Sequence, residues 1–331
     1  MRRLIARLTR DDTGASAILI GLLMIPLLGG LAISVDVGML YSERAQLQNG
    51  ADAAALAVGA DCADAGGCSQ SVSIANQFAD LNTVDGSAFA FNPTFPTSTS
   101  ATVVARTEQA DGGIGVRHPF AQFLGFTETT VTAEATVEWG SPRAGYVLPL
   151  ALSYCEFENA DLEVRTLIQY DTNKPCKGPI GQPIAGGFGW LDQLPDRCEA
   201  FVDLDDPLVG SDPGNDPPKN CEDLFQTLEG TTVLIPVYDC SYAANKPGDC
   251  SNGVNGQKGV YRIWAFAAFY VTGWKFSGNG NGIMHNPDPL APACTGNCRG
   301  IQGYFQEWVE VGGDWELGGP GLAVTVVRLI N

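Results

Sequence analysis

A chain of 331 residues with 37 acidic and 19 basic side chains carries a formal charge of −18, and 45% of its residues are hydrophobic. A negative field of that size repels phosphate backbones and anionic headgroups, which argues against nucleic acid as a partner. The 40 glycines and 20 prolines favour turns over long helical bundles, so a mixed α+β chain of one anchor and one or two further domains is the expectation.

Residues 1–14 hold Arg2, Arg3, Arg7 and Arg10 and read as a basic cytoplasmic segment. Without these four arginines and the neighbouring Asp11 and Asp12, the rest of the chain has 15 basic and 35 acidic residues, a formal charge of −20. Residues 15–35, ASAILIGLLMIPLLGGLAISV, contain no charge. At about 1.5 Å per residue such a helix crosses about 30 Å of hydrocarbon, and it is read as a transmembrane helix. Pro26 and the pair Gly29-Gly30 are tolerated in a bilayer, where neighbouring groups satisfy freed backbone atoms. Basic residues before the span and none just after it predict a single pass through a bacterial cell membrane, N-terminus cytoplasmic and the rest extracytoplasmic. A cleaved signal peptide has a shorter apolar core and a small-residue cleavage site, so the retained anchor is preferred.

Residues 36–60 are predicted to continue the helix outward as a stalk. Leu47, Ala51, Ala54, Ala55 and Val58 recur at helical spacing and form a small-residue face. Alanine permits close backbone approach, so the face suits packing against other helices in an assembly, including further copies of the chain; it suits packing on the chain's own ectodomain equally well.

Several strings of this region occur in a telling order: Gly14-Ala-Ser-Ala, the apolar run, Val35-Asp-Val-Gly38, Tyr41, and Leu47-Gln-Asn-Gly-Ala-Asp-Ala-Ala-Ala-Leu-Ala57. Together they resemble the N-terminal segment of TadE/TadG-like proteins of the Tad (Flp) pilus assembly system. The resemblance implies a non-catalytic, pseudopilin-like or accessory envelope component, with other pilus-assembly or pilin-like membrane proteins as partners and no cofactor. It covers residues 14 to about 60; weaker similarity to longer members lies at residues 187–192, 261–269 and 301–305. Two departures are visible. Counting from Ala15, Leu19 stands where prepilins processed after glycine carry glutamate. The strings nearest to the DxSxS metal motif of some TadG-like members, at Asp85 and Asp239, both lack its second serine.

Residues 61–140 read as a small pilin-like α/β unit, with a strand at 101–107, a turn at Asp111-Gly112-Gly113, a short helix at 119–124 and a strand at 129–139. In the last, Val131, Ala133, Ala135 and Val137 alternate with polar residues. Residues 141–331 hold eight of the ten cysteines and read as a β-rich, disulfide-stapled domain, with strand candidates at 147–153, 231–238, 260–272, 304–311 and 322–330. All ten cysteines, Cys62, Cys68, Cys155, Cys176, Cys198, Cys221, Cys240, Cys250, Cys294 and Cys298, follow the apolar run. An even set so placed predicts disulfides in an oxidising compartment, with their pairing open. Zinc is disfavoured, because Cys62/Cys68 and Cys294/Cys298 lack CxxC spacing.

No motif positions a reactive group, and no enzyme activity is expected. Asp203, Asp205, Asp206, Asp212 and Asp216 offer oxygen ligands to calcium, but Pro207 interrupts a DxDxDG loop, and a solvated acidic loop is the preferred reading. His118 and His285 have no evident nucleophile or metal partner in sequence. Gly186-Gly187-Phe188-Gly189-Trp190 fits no phosphate loop and reads as a turn that delivers two aromatics to a core. Three functions remain open: a pilus-assembly component, an anchored adhesin binding protein or carbohydrate through the Cys-rich domain, and a tethered hydrolase using carboxylates.

Overall fold

The computed structural model describes residues 13–63, 67–83, 88–109, 111–170, 176–214, 217–218, 221–250, 253–254, 258–276, 284–285, 288–310, 315–320 and 324–330. The chain divides into two compact units. The first takes residues 1–62, 66–137 and 329–331, and the second takes residues 63–65 and 138–328.

The first unit is organised by one continuous helix, α1 (Thr13–Ala63), that contains Pro26. Its first half is sustained by unbroken apolar residues and its second half by the alanine-rich LQNGADAAALA string, alanine being the strongest helix former. A short helix α2 (Ser71–Leu81) follows, and the Cys62–Cys68 disulfide lies in the turn between the two. The buried residues of α2, Ser71, Ala75 and Ala79, recur every four positions, which is the spacing of one helical face. The remaining strands of the unit are β1 (Ala88–Ala90), β2 (Thr94–Thr97), β3 (Ser100–Thr107), β4 (Val116–Arg117), β5 (Glu128–Thr129) and β6 (Thr132–Gly140). β3 lies between β1 and β6, and β4 and β5 form a separate antiparallel ribbon. β3 buries Ala101, Val103 and Ala105, and β6 buries Ala133, Ala135 and Val137, the period-two pattern of a sheet with one covered face. Polar contacts fix the helix to these strands: Gln48 Nε2 donates to the Glu134 carbonyl at 3.0 Å, and Thr107 Oγ1 donates to Glu43 Oε1 at 2.8 Å.

The second unit carries β7 (Pro142–Val147), β8 (Leu150–Ser153), helix α3 (Tyr154–Glu158), β9 (Thr166–Gln169), β10 (Cys176–Lys177), β11 (Pro183–Ile184), β12 (Phe188–Trp190), β13 (Ala200–Asp203), β14 (Leu208–Gly210), helix α4 (Glu222–Leu228), β15 (Thr232–Ala243), β16 (Gly259–Lys275), β17 (Met284–His285), β18 (Gly300–Gln306), β19 (Trp308–Glu310), β20 (Glu316–Leu317) and β21 (Thr325–Ile330). Its main sheet runs β12-β8-β15-β16-β18-β9, with β14 and β17 also paired to β16. The spine is the antiparallel β15–β16 pair, from Thr232 opposite Tyr270 to Ala243 opposite Gly259, with a bulge around Tyr238. Both faces of β16 are covered. Ala267, Phe269 and Val271 join a cluster with Trp190, Phe225 and Trp274, while Phe266 and Ala268 join another with Val202 and Trp315. A strand buried on both sides needs apolar residues at consecutive positions, which accounts for the uninterrupted WAFAAFYV run.

The expected α+β class and the disulfide-stapled β domain are both present. Each of the ten cysteines is bonded to its neighbour in sequence: Cys62–Cys68, Cys155–Cys176, Cys198–Cys221, Cys240–Cys250 and Cys294–Cys298. The strand expected at 147–153 is divided between β7 and β8, the one expected at 129–139 begins at Thr132, and that at 260–272 extends to Lys275. The short helix expected at 119–124 is a 3-10 turn at Ala121–Leu124.

Candidate functional site

The functional candidate is α1 itself, and its two halves have opposite surroundings. Among the described residues it is the one helix long and apolar enough to cross a membrane; its most apolar 18-residue window has mean hydropathy 2.5 and is nowhere buried. Ile18, Leu22, Ile25, Leu27, Leu28 and Leu31 all stand exposed. Soluble monomers rarely expose that much contiguous apolar surface, and the helix fits a single-pass membrane anchor. Ser34 Oγ donates to the Gly30 carbonyl at 2.8 Å, so its hydroxyl is satisfied without water.

The face formed by Leu47, Ala51, Ala54, Ala55 and Val58 is fully buried, each residue at 0% exposure. Of the two packings the sequence leaves open, a partner helix or the chain's own ectodomain, the described fold buries this face within the first unit. α2 approaches α1 at Gly50. A Cβ added to Gly50 would stand 2.9 Å from the Ala79 carbonyl oxygen, so the backbones of α1 and α2 meet where alanine and glycine leave no side chain between them.

Directly after the apolar run, Asp36 is 5% exposed. Its Oδ1 accepts from the Phe120 amide at 3.3 Å and its Oδ2 from the Ala121 amide at 2.6 Å. The carboxylate thus caps the 3-10 turn and ties that loop to the helix where the uncharged stretch ends. In sequence, residues 119–124 read as a short helix with no evident cap, and the one signal for it is a lone acid directly after the uncharged residues 15–35.

Other candidates are absorbed by structure. Phe188 and Trp190 are buried at the turn where Gly187 adopts φ +95°, so the glycine-rich string delivers aromatics to the core as expected. Asp203 and Asp205 both receive Arg143 Nη1, at 3.0 and 2.6 Å. Burial, reinforced by the Asp192 carboxylate, raises the pKa of Asp212. Asp216 lies outside the described residues, as does Asp85. Asp239 is held by Arg262, whose Nε and Nη2 donate to its two oxygens at 2.7 and 2.9 Å, and Cys240 beside it is disulfide-bonded. His118 is buried with Nε2 2.7 Å from Thr129 Oγ1, and His285 Nε2 lies 2.7 Å from Glu229 Oε2. Among the described residues no group of three or more His, Cys, Asp or Glu side chains could hold a metal ion. A cavity of about 480 Å³ in the second unit is lined by Tyr170, Phe188, Tyr238, Tyr261 and Arg299. Burial raises the pKa of Tyr238 and of Tyr261 well above the ordinary phenol range, which keeps both hydroxyls neutral.

No curated protein and no solved structure matches the chain. Residues 14–61 match the Tad family model, described as Putative Flp pilus-assembly TadE/G-like. The match coincides with α1 almost from end to end, joining the lipid-suited half to the half that forms the core of the first unit. The chain therefore carries a TadE/G-like segment of the Flp pilus-assembly family as its N-terminal helix.

Proposed function

We propose that the protein is a pseudopilin-like or accessory component of a Tad/Flp-type pilus assembly or related export apparatus, working through contacts rather than catalysis. The observation that carries this reading is the coincidence of the Tad segment with a single helix that is apolar and exposed up to Val35 and buried along one face in its own unit between Leu47 and Val58. Such a helix fixes a folded unit at a set height above the bilayer, which is what an assembly component needs if it is to meet others in the membrane. The span would contact partner helices or lipid; Gly29 and Gly30 leave open space for a neighbouring helix. Four arginines on the N-terminal side and five disulfides on the other favour an N-terminus in the cytoplasm and both units outside it.

Deletion of the gene, followed by counting pili by electron microscopy and by complementation with the full chain, tests the proposal. Loss of pili restored by the full chain is the expected result. Unchanged pili with lost surface attachment would replace it with the adhesin reading.

A further inference from the structure

The loop that Asp36 ties to the end of the apolar run carries aromatic side chains that stand exposed among the described residues. Phe123 is 82% exposed, Phe126 68% and Phe120 42%, with Ile114 at 45% beside them in sequence. These residues are held in place. β4 and β5 pair Val116 with Thr129 and Arg117 with Glu128, the His118 amide donates to the Thr127 carbonyl at 3.0 Å, and the Phe126 amide donates to the Ala121 carbonyl at 3.1 Å. Between Pro119 and Thr127 the sequence PFAQFLGFT has no charge. Arg117 pairs with Asp111, Asp36 is buried where it caps the loop, and the exposed Glu128 follows the uncharged string opposite Arg117 in the β4–β5 ribbon.

What covers the surface follows from where it is fastened. Asp36 is the first residue after the uncharged stretch of residues 15–35, so the amides of Phe120 and Ala121 are fixed at the height where a spanning helix leaves the hydrocarbon. Tyr41, 73% exposed, stands five residues further along α1, about 7 Å at the helical rise. Tyrosine is enriched at that depth, and phenylalanine on an interfacial apolar face buries at the boundary of headgroups and acyl chains. We infer that the loop around Phe120, Phe123 and Phe126 inserts into the outer interface of the same bilayer that holds α1, so that the first unit has a second, reversible membrane contact. The contact is with the apolar and interfacial part of the lipid. The chain beyond residue 14 carries a formal charge of −20, which disfavours attraction to anionic headgroups, so neutral phosphatidylcholine suffices. A loop so seated limits the tilt and rotation of the first unit about α1.

This inference rests on the membrane-anchor reading of α1, and the test separates the two. The full chain is reconstituted in phosphatidylcholine nanodiscs with the photoreactive residue benzoylphenylalanine at position 123 or, separately, at position 23 within the span. After irradiation, adducts are identified by mass spectrometry. Lipid adducts at both positions are expected. Lipid at position 23 with none at position 123 would overturn the inference and leave the anchor intact. Adducts at position 123 to a second copy of the chain would overturn it in favour of a protein contact. No lipid at either position would remove the anchor and the inference with it.

Discussion

Replacing Gly50 with alanine tests whether the stalk is core. In an exposed helix the change gains about 1 kcal/mol, because glycine is the poorer helix former. Here the added methyl would lie 2.9 Å from the Ala79 carbonyl oxygen and 3.5 Å from its Cα. Both are backbone atoms that cannot swing aside, and forcing a methyl into such a contact costs roughly 1–3 kcal/mol. Gly38, in the same helix with nothing within 4 Å of its Cβ position, supplies the control. The propensity gain cancels between Gly50→Ala and Gly38→Ala, so their difference is the clash alone. At tenfold per 1.4 kcal/mol, the amides of residues 47–58 in Gly50→Ala should exchange roughly five- to 150-fold faster than in Gly38→Ala. Hydrogen exchange of the full chain in nanodiscs, read by mass spectrometry, measures this. Equal protection in the two variants would refute the reasoning, since the α1–α2 approach would then tolerate a methyl freely.

Removing the Cys198–Cys221 disulfide, which closes a separation of 23 residues, should destabilise the second unit by about 3 kcal/mol, against about 2 kcal/mol for Cys294–Cys298 with a separation of 4; denaturant unfolding of the paired alanine variants gives the order. Asp239→Asn should cost about 1–3 kcal/mol in the same assay, because a buried carboxylate that receives two guanidinium hydrogen bonds loses its charge. Burial raises the folded-state pKa of Tyr238 above its ordinary value of 10.0, so its contribution is fully present below that pH and is lost as pH rises beyond it. Stability of the second unit should therefore fall above pH 10, and the fall should be shallower in Tyr238→Phe; an identical pH profile in the two proteins would contradict the assignment.

The long N-terminal helix was legible, its first part because 21 uncharged residues leave few alternatives and its second because alanine and leucine repeat at helical spacing. Which partner covers the stalk face was not. A small-residue face reads the same whether the chain's own elements or another chain lie on it, and α2 has no strong pattern of its own because its buried residues, Ser71, Ala75 and Ala79, are small. In the second unit the strong β16 signal carried through, whereas two- and three-residue strands such as β10, β11 and β12 are set by pairing rather than by local pattern. Disulfide pairing was illegible by combinatorics, although the structure resolves it into five neighbouring pairs. The exposed phenylalanines at positions 120, 123 and 126 would ordinarily be assigned to a core; only the Asp36 cap shows that their loop is fastened at the end of the span.

Crosslinking in intact membranes, followed by purification of the tagged full chain and identification of what is attached, tests the assembly claim most directly, with a version whose residues 15–35 are exchanged for an unrelated membrane span as the comparison. Recovery of pilus-machinery proteins with the native span, and their reduction with the exchanged one, is the predicted result. Recovery of no pilus-machinery protein with either version would contradict an assembly role.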